Sequence, residues 1–231
     1  MKTAGIIGGT GPQSTVEYYR RIIAGYREAR ADGSYPSIII NSINLTKLVD
    51  SIAANQLGDA ADYLIEEIRR LAAAGAGFAI VAANSPHIVF EELRRRSPIP
   101  LTSIVEVTCA EAKVKGLKKA GLLGSRFTMQ ANFYPEVFSR EGIAVIVPKP
   151  GEQVSIHEIY MNELVPAVFS PDTRERLLTF VDRMKERDEI DSLILGGTEL
   201  SLIFREETAR GIPLLDTTQI HVNAVVAELL R

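Results

Sequence analysis

The sequence predicts an α/β protein built on parallel sheet, arranged in two halves of similar plan. Short apolar runs alternate from end to end with longer amphipathic ones, the pattern of successive βαβ units. Several short runs, such as 4–8 and 120–124, carry small or apolar residues throughout, as strands covered on both faces require. The segments 78–90 (FAIVAANSPHIVF) and 192–204 (SLILGGTELSLIF) repeat one design. Each has an apolar strand, two small residues, Asn-Ser or Thr-Glu, and then a resumed helical pattern.

Taken in order, strands are expected over 4–8, 37–43, 78–82, 100–103, 120–124, 143–147, 192–195 and 212–215. The helical patterns between them cover roughly 15–30, 59–74, 86–95, 105–115, 132–141, 154–169, 172–187 and 217–230. Punctuation supports these assignments. Ser170-Pro171-Asp172 is a helix start signal, and Gly75, Gly116 and Gly142 stand where helices should stop. Eight strands suit either one doubly wound sheet or two four-stranded parallel sheets, and the repeated design favours two. No Pro/Gly/Ser-rich linker separates the halves, so tight packing is expected.

Composition narrows the function classes. The 231 residues hold 26 basic and 29 acidic side chains, for a net charge of −3, which offers no basic face for nucleic acid. A single cysteine, Cys109, excludes an internal disulfide framework and a cysteine-rich metal site. Three scattered histidines, His87, His157 and His221, make no metal-ligand cluster, so no metal is expected. No apolar run reaches the ~20 residues a membrane span needs, and the N-terminal MKTAGIIGGTGP is too short for a signal peptide. A soluble, cytoplasmic protein is expected.

Ligands of open α/β sheets bind beyond the carboxyl ends of strands, and five such loops carry polar residues here. The first is GGTGP at 8–12. With Ser14 it reads G-x-G-x-x-S, short of a dinucleotide fingerprint, and the second strand ends in Asn41 and Asn44 with no acid for a ribose. A glycine turn whose amides face an anion at a helix start fits better, beside the plainer reading of a tight turn. The second loop is Asn84-Ser85-Pro86-His87, in which Ser85 is expected to cap the helix that Pro86 opens. His87 there reads more readily as a hydrogen-bonded core residue than as a base. The others are Gly196-Gly197-Thr198-Glu199, the 215–221 run LDTTQIH, and the 122–129 run LLGSRFTM. Loops rich in Asn, Ser, Thr and Gly suit a small anionic ligand held mainly by neutral donors.

The motifs GGTGP, ANSPH, LLGSRFTM, GGTEL and DTTQIH stand in the order and spacing of the aspartate/glutamate racemase family, and the chain resembles that family over essentially its whole length. The resemblance implies two similar Rossmann-like α/β domains with the ligand cleft between them. The resemblance also has the last helix pack back on the first domain, and with the internal duplication this suits a division into 1–103 plus 214–231 and 104–213. It also implies a homodimer, an acidic amino acid or small carboxylate as ligand, and racemisation without pyridoxal phosphate, metal or other cofactor. Two cysteines on opposite faces of the substrate move the α-proton in that family.

Both cysteine positions of the resemblance are changed here, to Ala83 and Gly197. Neither side chain can accept or donate a proton, so the two-thiol mechanism is not available, and losing both thiols is expected to open space at the reacting carbon. Cys109 lies in an amphipathic helix away from the strand-end loops and reads as a structural residue. By the same resemblance Thr10, Asn84, Ser85, Thr128 and Thr198 hold the ligand's carboxylate and amino group, and Lys47 a distal carboxylate. His87, Glu199 and Asp216 are the substitutes for the missing acid and base, and His221 joins them as a supporting residue. Three functions follow: a racemase or epimerase with a displaced proton-transfer pair, a lyase, decarboxylase or isomerase of a small di-acid, and a non-catalytic carboxylate-binding protein.

Overall fold

The first strand follows from its own residues: TAGIIG forms β1 (Thr3–Gly8), buried from Ala4 onward. The computed structural model describes residues 2–231, and the chain divides into two compact units, Met1–Ile104 with His221–Arg231 and Val105–Ile220. In the first, β1 leads through the glycine loop into α1 (Pro12–Ala29) and then β2 (Ser37–Ser42). Asn44 accepts from the Thr46 N–H at 3.0 Å and so caps α2 (Leu45–Ala53), a helix the periodicity did not reveal. There follow α3 (Leu57–Ala73), β3 (Phe78–Val81), a 3-10 turn Ser85–Val89 and α4 (Phe90–Arg96). The sheet order is β2-β1-β3, all parallel.

Alternation along these strands builds two cores. Ala4, Ile6, Phe78 and Ile80 pack with Tyr18, Ile22, Tyr26, Val222, Val225 and Leu229. Ile7, Ala79 and Val81 face the other way, onto Leu64, Ile68 and Leu93. The expected fourth strand at 100–103 is reduced to one parallel bridge between Ala79 and Leu101. The Ala79 N–H donates to the Pro100 carbonyl at 2.9 Å, and the Thr102 N–H donates to the Ala79 carbonyl at 3.1 Å. Pro98 and Pro100 have no N–H, so the segment cannot continue the ladder.

The second unit starts from α5 (Ile104–Val114) and holds β4 (Lys119–Gly124), α6 (Arg126–Gln130), α7 (Phe133–Ser139), β5 (Ala144–Ile146) and α8 (Pro150–Ile159). After a π-helical turn at Tyr160–Leu164 come α9 (Pro171–Asp188), β6 (Ser192–Gly196), α10 (Thr198–Ile203), β7 (Thr208–Ala209), β8 (Ile212–Asp216) and α11 (Thr217–Leu229). The order is β5-β4-β6-β8-β7, with four parallel strands and the two-residue β7 antiparallel at the edge. Because β8 pairs with β6, residues 214–220 lie in this unit, and the chain re-enters the first unit at His221 rather than at 214.

The single helix expected over 154–169 is two structures. Pro150 opens α8 early, and the chain then widens so that the Val165 N–H donates to the Tyr160 carbonyl at 2.9 Å. Pro166, without an N–H, ends the helical run, and Ala167 turns the chain at φ +64°. Ser170 caps α9 by accepting from the Thr173 N–H at 3.0 Å, with Pro171 at its first position. Gly75, Gly116 and Gly142 follow α3, α5 and α7 at φ +98°, +71° and +70°, where a side chain would strain the backbone.

Candidate active site at the strand ends

The glycines after β1 are there for space. A β-carbon on Gly8 would lie 2.6 Å from the Thr15 methyl, and Gly9, at φ +79°, presses on the backbone of Ile43. The Gly9 N–H donates to Thr15 Oγ1 at 2.8 Å, and the Thr15 hydroxyl donates to the Gly11 carbonyl at 3.3 Å. The Gly9 amide, expected to face an anion, is thus committed to Thr15. Thr10 is half-buried, and its hydroxyl donates to the Ala82 carbonyl at 3.4 Å, which brings it to the end of β3.

At that end Ala83 is half-buried and Asn84 is buried, its carbonyl accepting from the His87 N–H at 2.9 Å. Ser85 is the first residue of the 3-10 turn rather than the cap of an α-helix. His87 is stacked on Phe90 with ring centroids 4.7 Å apart. Its Nδ1–H donates to the Ala83 carbonyl at 3.0 Å, and Nε2 accepts from the Ile104 N–H at 3.2 Å. Burial, reinforced by His221, lowers its pKa to about 3. Both ring nitrogens serve the backbone, so His87 holds the loop.

His221 is satisfied in the same way. Nδ1 accepts from the Tyr18 hydroxyl at 2.9 Å, Nε2–H donates to the Thr102 carbonyl at 3.0 Å, and burial lowers the pKa to about 4. Lys47 is exposed on α2, with Nζ 4.3 Å from the centroid of the Tyr63 ring, whose hydroxyl accepts from the Asn44 N–H at 3.1 Å.

In the second unit Ser125 caps α6 and bonds the buried Thr128 hydroxyl at 3.2 Å. The Thr128 methyl lies 3.0 Å from where β-carbons on Gly124 or Gly196 would be, so both glycines make room for it at the ends of β4 and β6. Thr198 is buried at the start of α10. Asp216 accepts from the Ser201 hydroxyl at 2.6 Å and from the Gln219 N–H at 3.0 Å, capping the first turn of α11. These bonds give it a structural role and weaken its claim as a substitute base. Thr217 donates to the Leu195 carbonyl at 2.7 Å, while the buried Thr218 hydroxyl finds no partner.

Position 197 departs most from the sequence reading. A β-carbon there would meet the Tyr160 hydroxyl and would stand 2.8 and 2.9 Å from ring atoms Cε2 and Cζ. The space expected to open is filled by this ring, 8% exposed. The phenol donates to the Glu199 carboxylate, and burial and that charge push its pKa well above the usual phenol value. Tyr160 was missed because it sits inside a helical pattern, although Gly-Gly at a strand end signals a close neighbour. Cys109 is buried, 3.9 Å from the Val137 carbonyl, with burial raising its pKa to about 11, the state of an unreactive thiol. Among the described residues, no three His, Cys, Asp or Glu side chains are grouped to hold a metal ion, and no helix is long and apolar enough to cross a membrane.

The family model for Asp/Glu/hydantoin racemases matches residues 7–225. This chain belongs to that family. It is 25% identical to the broad specificity amino-acid racemase RacX of Bacillus subtilis, over 98% of this chain and 97% of that protein. A Yersinia pestis structure classed with the Asp/Glu racemases matches at a TM-score of 0.90 and 29% identity, covering all of both chains. An aspartate racemase homologue from Pyrococcus horikoshii matches at 0.85 and 31%, again over both full chains. The α/β units with their parallel sheets are those of this family, whose members have two Rossmann-like domains.

Proposed function

We propose that this protein binds an acidic amino acid or related small di-acid through donors at its strand ends and does not racemise it with a pair of thiols. The observation that carries this reading is the state of positions 83 and 197, a methyl group and a glycine with no room for a side chain. A missing acid or base costs ~10²–10⁴ in rate, and two-sided proton transfer needs one on each face. Family membership supports a small-carboxylate ligand. Thr10, Asn84, Ser85, Thr128 and Thr198 are its proposed donors, with Lys47 for a distal carboxylate. The same family reading makes the protein a homodimer, which light scattering in solution checks.

The test is thermal stabilisation by L- and D-aspartate and L- and D-glutamate, with chiral chromatography of the recovered ligand. At ~100 times Kd a ligand adds ~2.7 kcal/mol. Stabilisation without inversion is expected; no stabilisation by any of the four overturns the proposal. A lyase, decarboxylase or isomerase of a small di-acid is the second reading. The pairing of Tyr160 with Glu199 favours it, because a proton-bearing group stands at one of the two positions.

A further inference from the structure

We propose that Tyr160 takes the place of the second thiol and moves a proton at one face only of the bound acid, with Glu199 as its positioning residue. This rests on the small-acid reading above. The geometry is specific: the phenol occupies the volume into which any side chain at 197 would project, at the end of β6. Gly197 and Tyr160 are therefore one feature, since the ring fits only because residue 197 has no β-carbon. Tyr160 also begins the π-helical turn, a distortion that changes the direction of side chains and often marks functional sites. Glu199, two residues beyond Gly197, accepts the phenol's proton in a hydrogen bond.

Ala83 itself supplies no such group. Its methyl can neither give nor take a proton, and the neighbouring imidazole of His87 is bound at both nitrogens. Proton transfer therefore runs through Tyr160. Tyr160 Oη takes the proton from Cα as its own proton passes to the Glu199 carboxylate, and the electron pair of the C–H bond remains on the substrate as the enolate of its carboxylate. While the substrate is the enolate, the phenol and Glu199 trade protons along their hydrogen bond and both exchange with solvent through the carboxyl group. The return step thus delivers a solvent proton from Oη to the same face. The configuration is retained. The phenol stays protonated at neutral pH, so Oη gives its hydrogen to Glu199 only as it takes another from Cα.

The experiment is incubation of the protein in D₂O with each enantiomer of aspartate and glutamate, following Cα–H by NMR and configuration by chiral chromatography. The expected result is Cα deuteration of one enantiomer of a pair, without inversion. Tyr160→Phe keeps the ring against Gly197 and is expected to slow exchange ~10²-fold or more, with ligand stabilisation retained. Glu199→Gln is expected to slow exchange and displace its pH profile. Exchange in Tyr160→Phe at the native rate, inversion, or a bound acid that never exchanges overturns the proposal. If no acid stabilises the protein, the small-acid reading itself fails, and this inference with it.

Discussion

The Tyr160 phenol lies where the β-carbon of residue 197 would be, with ring atoms Cε2 and Cζ 2.8 and 2.9 Å from that point. A residue 37 positions earlier thereby decides what position 197 can hold. Gly197→Ala is expected to destabilise the protein by about 1–3 kcal/mol, the usual cost of overpacking. Combined with Tyr160→Ala the penalties should fall short of additive, since the second change removes the obstacle to the first. Urea unfolding of both single variants and the double variant measures a coupling of roughly 0.5–3 kcal/mol; strict additivity would show that the two sites are independent.

The same contact governs any attempt to install thiols. Ala83→Cys with Gly197→Cys is expected to lower the melting temperature and leave the ligand uninverted, because Tyr160 occupies the second position. Adding Tyr160→Ala should recover part of the stability and allow inversion of aspartate or glutamate. Chiral chromatography of the ligand compares the two variants.

Lys47 is the proposed contact for a distal carboxylate, and its ammonium now lies over the Tyr63 ring. Lys47→Ala should weaken binding of aspartate about fivefold to tenfold, on the order of 1 kcal/mol, while leaving alanine binding unchanged. Calorimetric titration of both ligands checks this. Equal affinities for aspartate before and after the change would remove Lys47 from the site.

Stability should fall with acid well before the carboxylates titrate. His87 and His221 have pKa values lowered to about 3 and about 4, against an ordinary value of 6.5. Between those limits the unfolded chain binds protons that the folded chain refuses, so stability rises with pH and is lost as pH falls below 6.5. Each histidine should cost on the order of 2 kcal/mol by pH 5. Urea midpoints from pH 7 to pH 5 test the slope, and His221→Gln should remove about one proton from it.

How much was legible follows from the range of the forces involved. The parallel strands 4–8, 120–124 and 192–195 were readable because burial on both faces demands apolar residues at consecutive positions. The stops at Gly75, Gly116 and Gly142 were readable because positive φ is a property of single residues. The short helices α2 and α6 were missed, being held by local caps at Asn44 and Ser125 with too few turns to show a period. The fourth strand at 100–103 shrinks to one bridge at Leu101, because Pro100 has no N–H to give to a ladder.

By itself the sequence determined the α/β class, the repeated design, the family, and the absence of thiols at positions 83 and 197. Tertiary structure decided what takes their place. Pattern named no partner for His87 or Asp216, and the fold supplies the Ile104 N–H to one and the Ser201 hydroxyl to the other. Gly197 reads as an empty position until the π turn after α8 brings Tyr160 against it. The physical reason is that patterning and backbone conformation are set by neighbours in sequence, whereas occupied volume and hydrogen bonding are settled only when distant segments pack together.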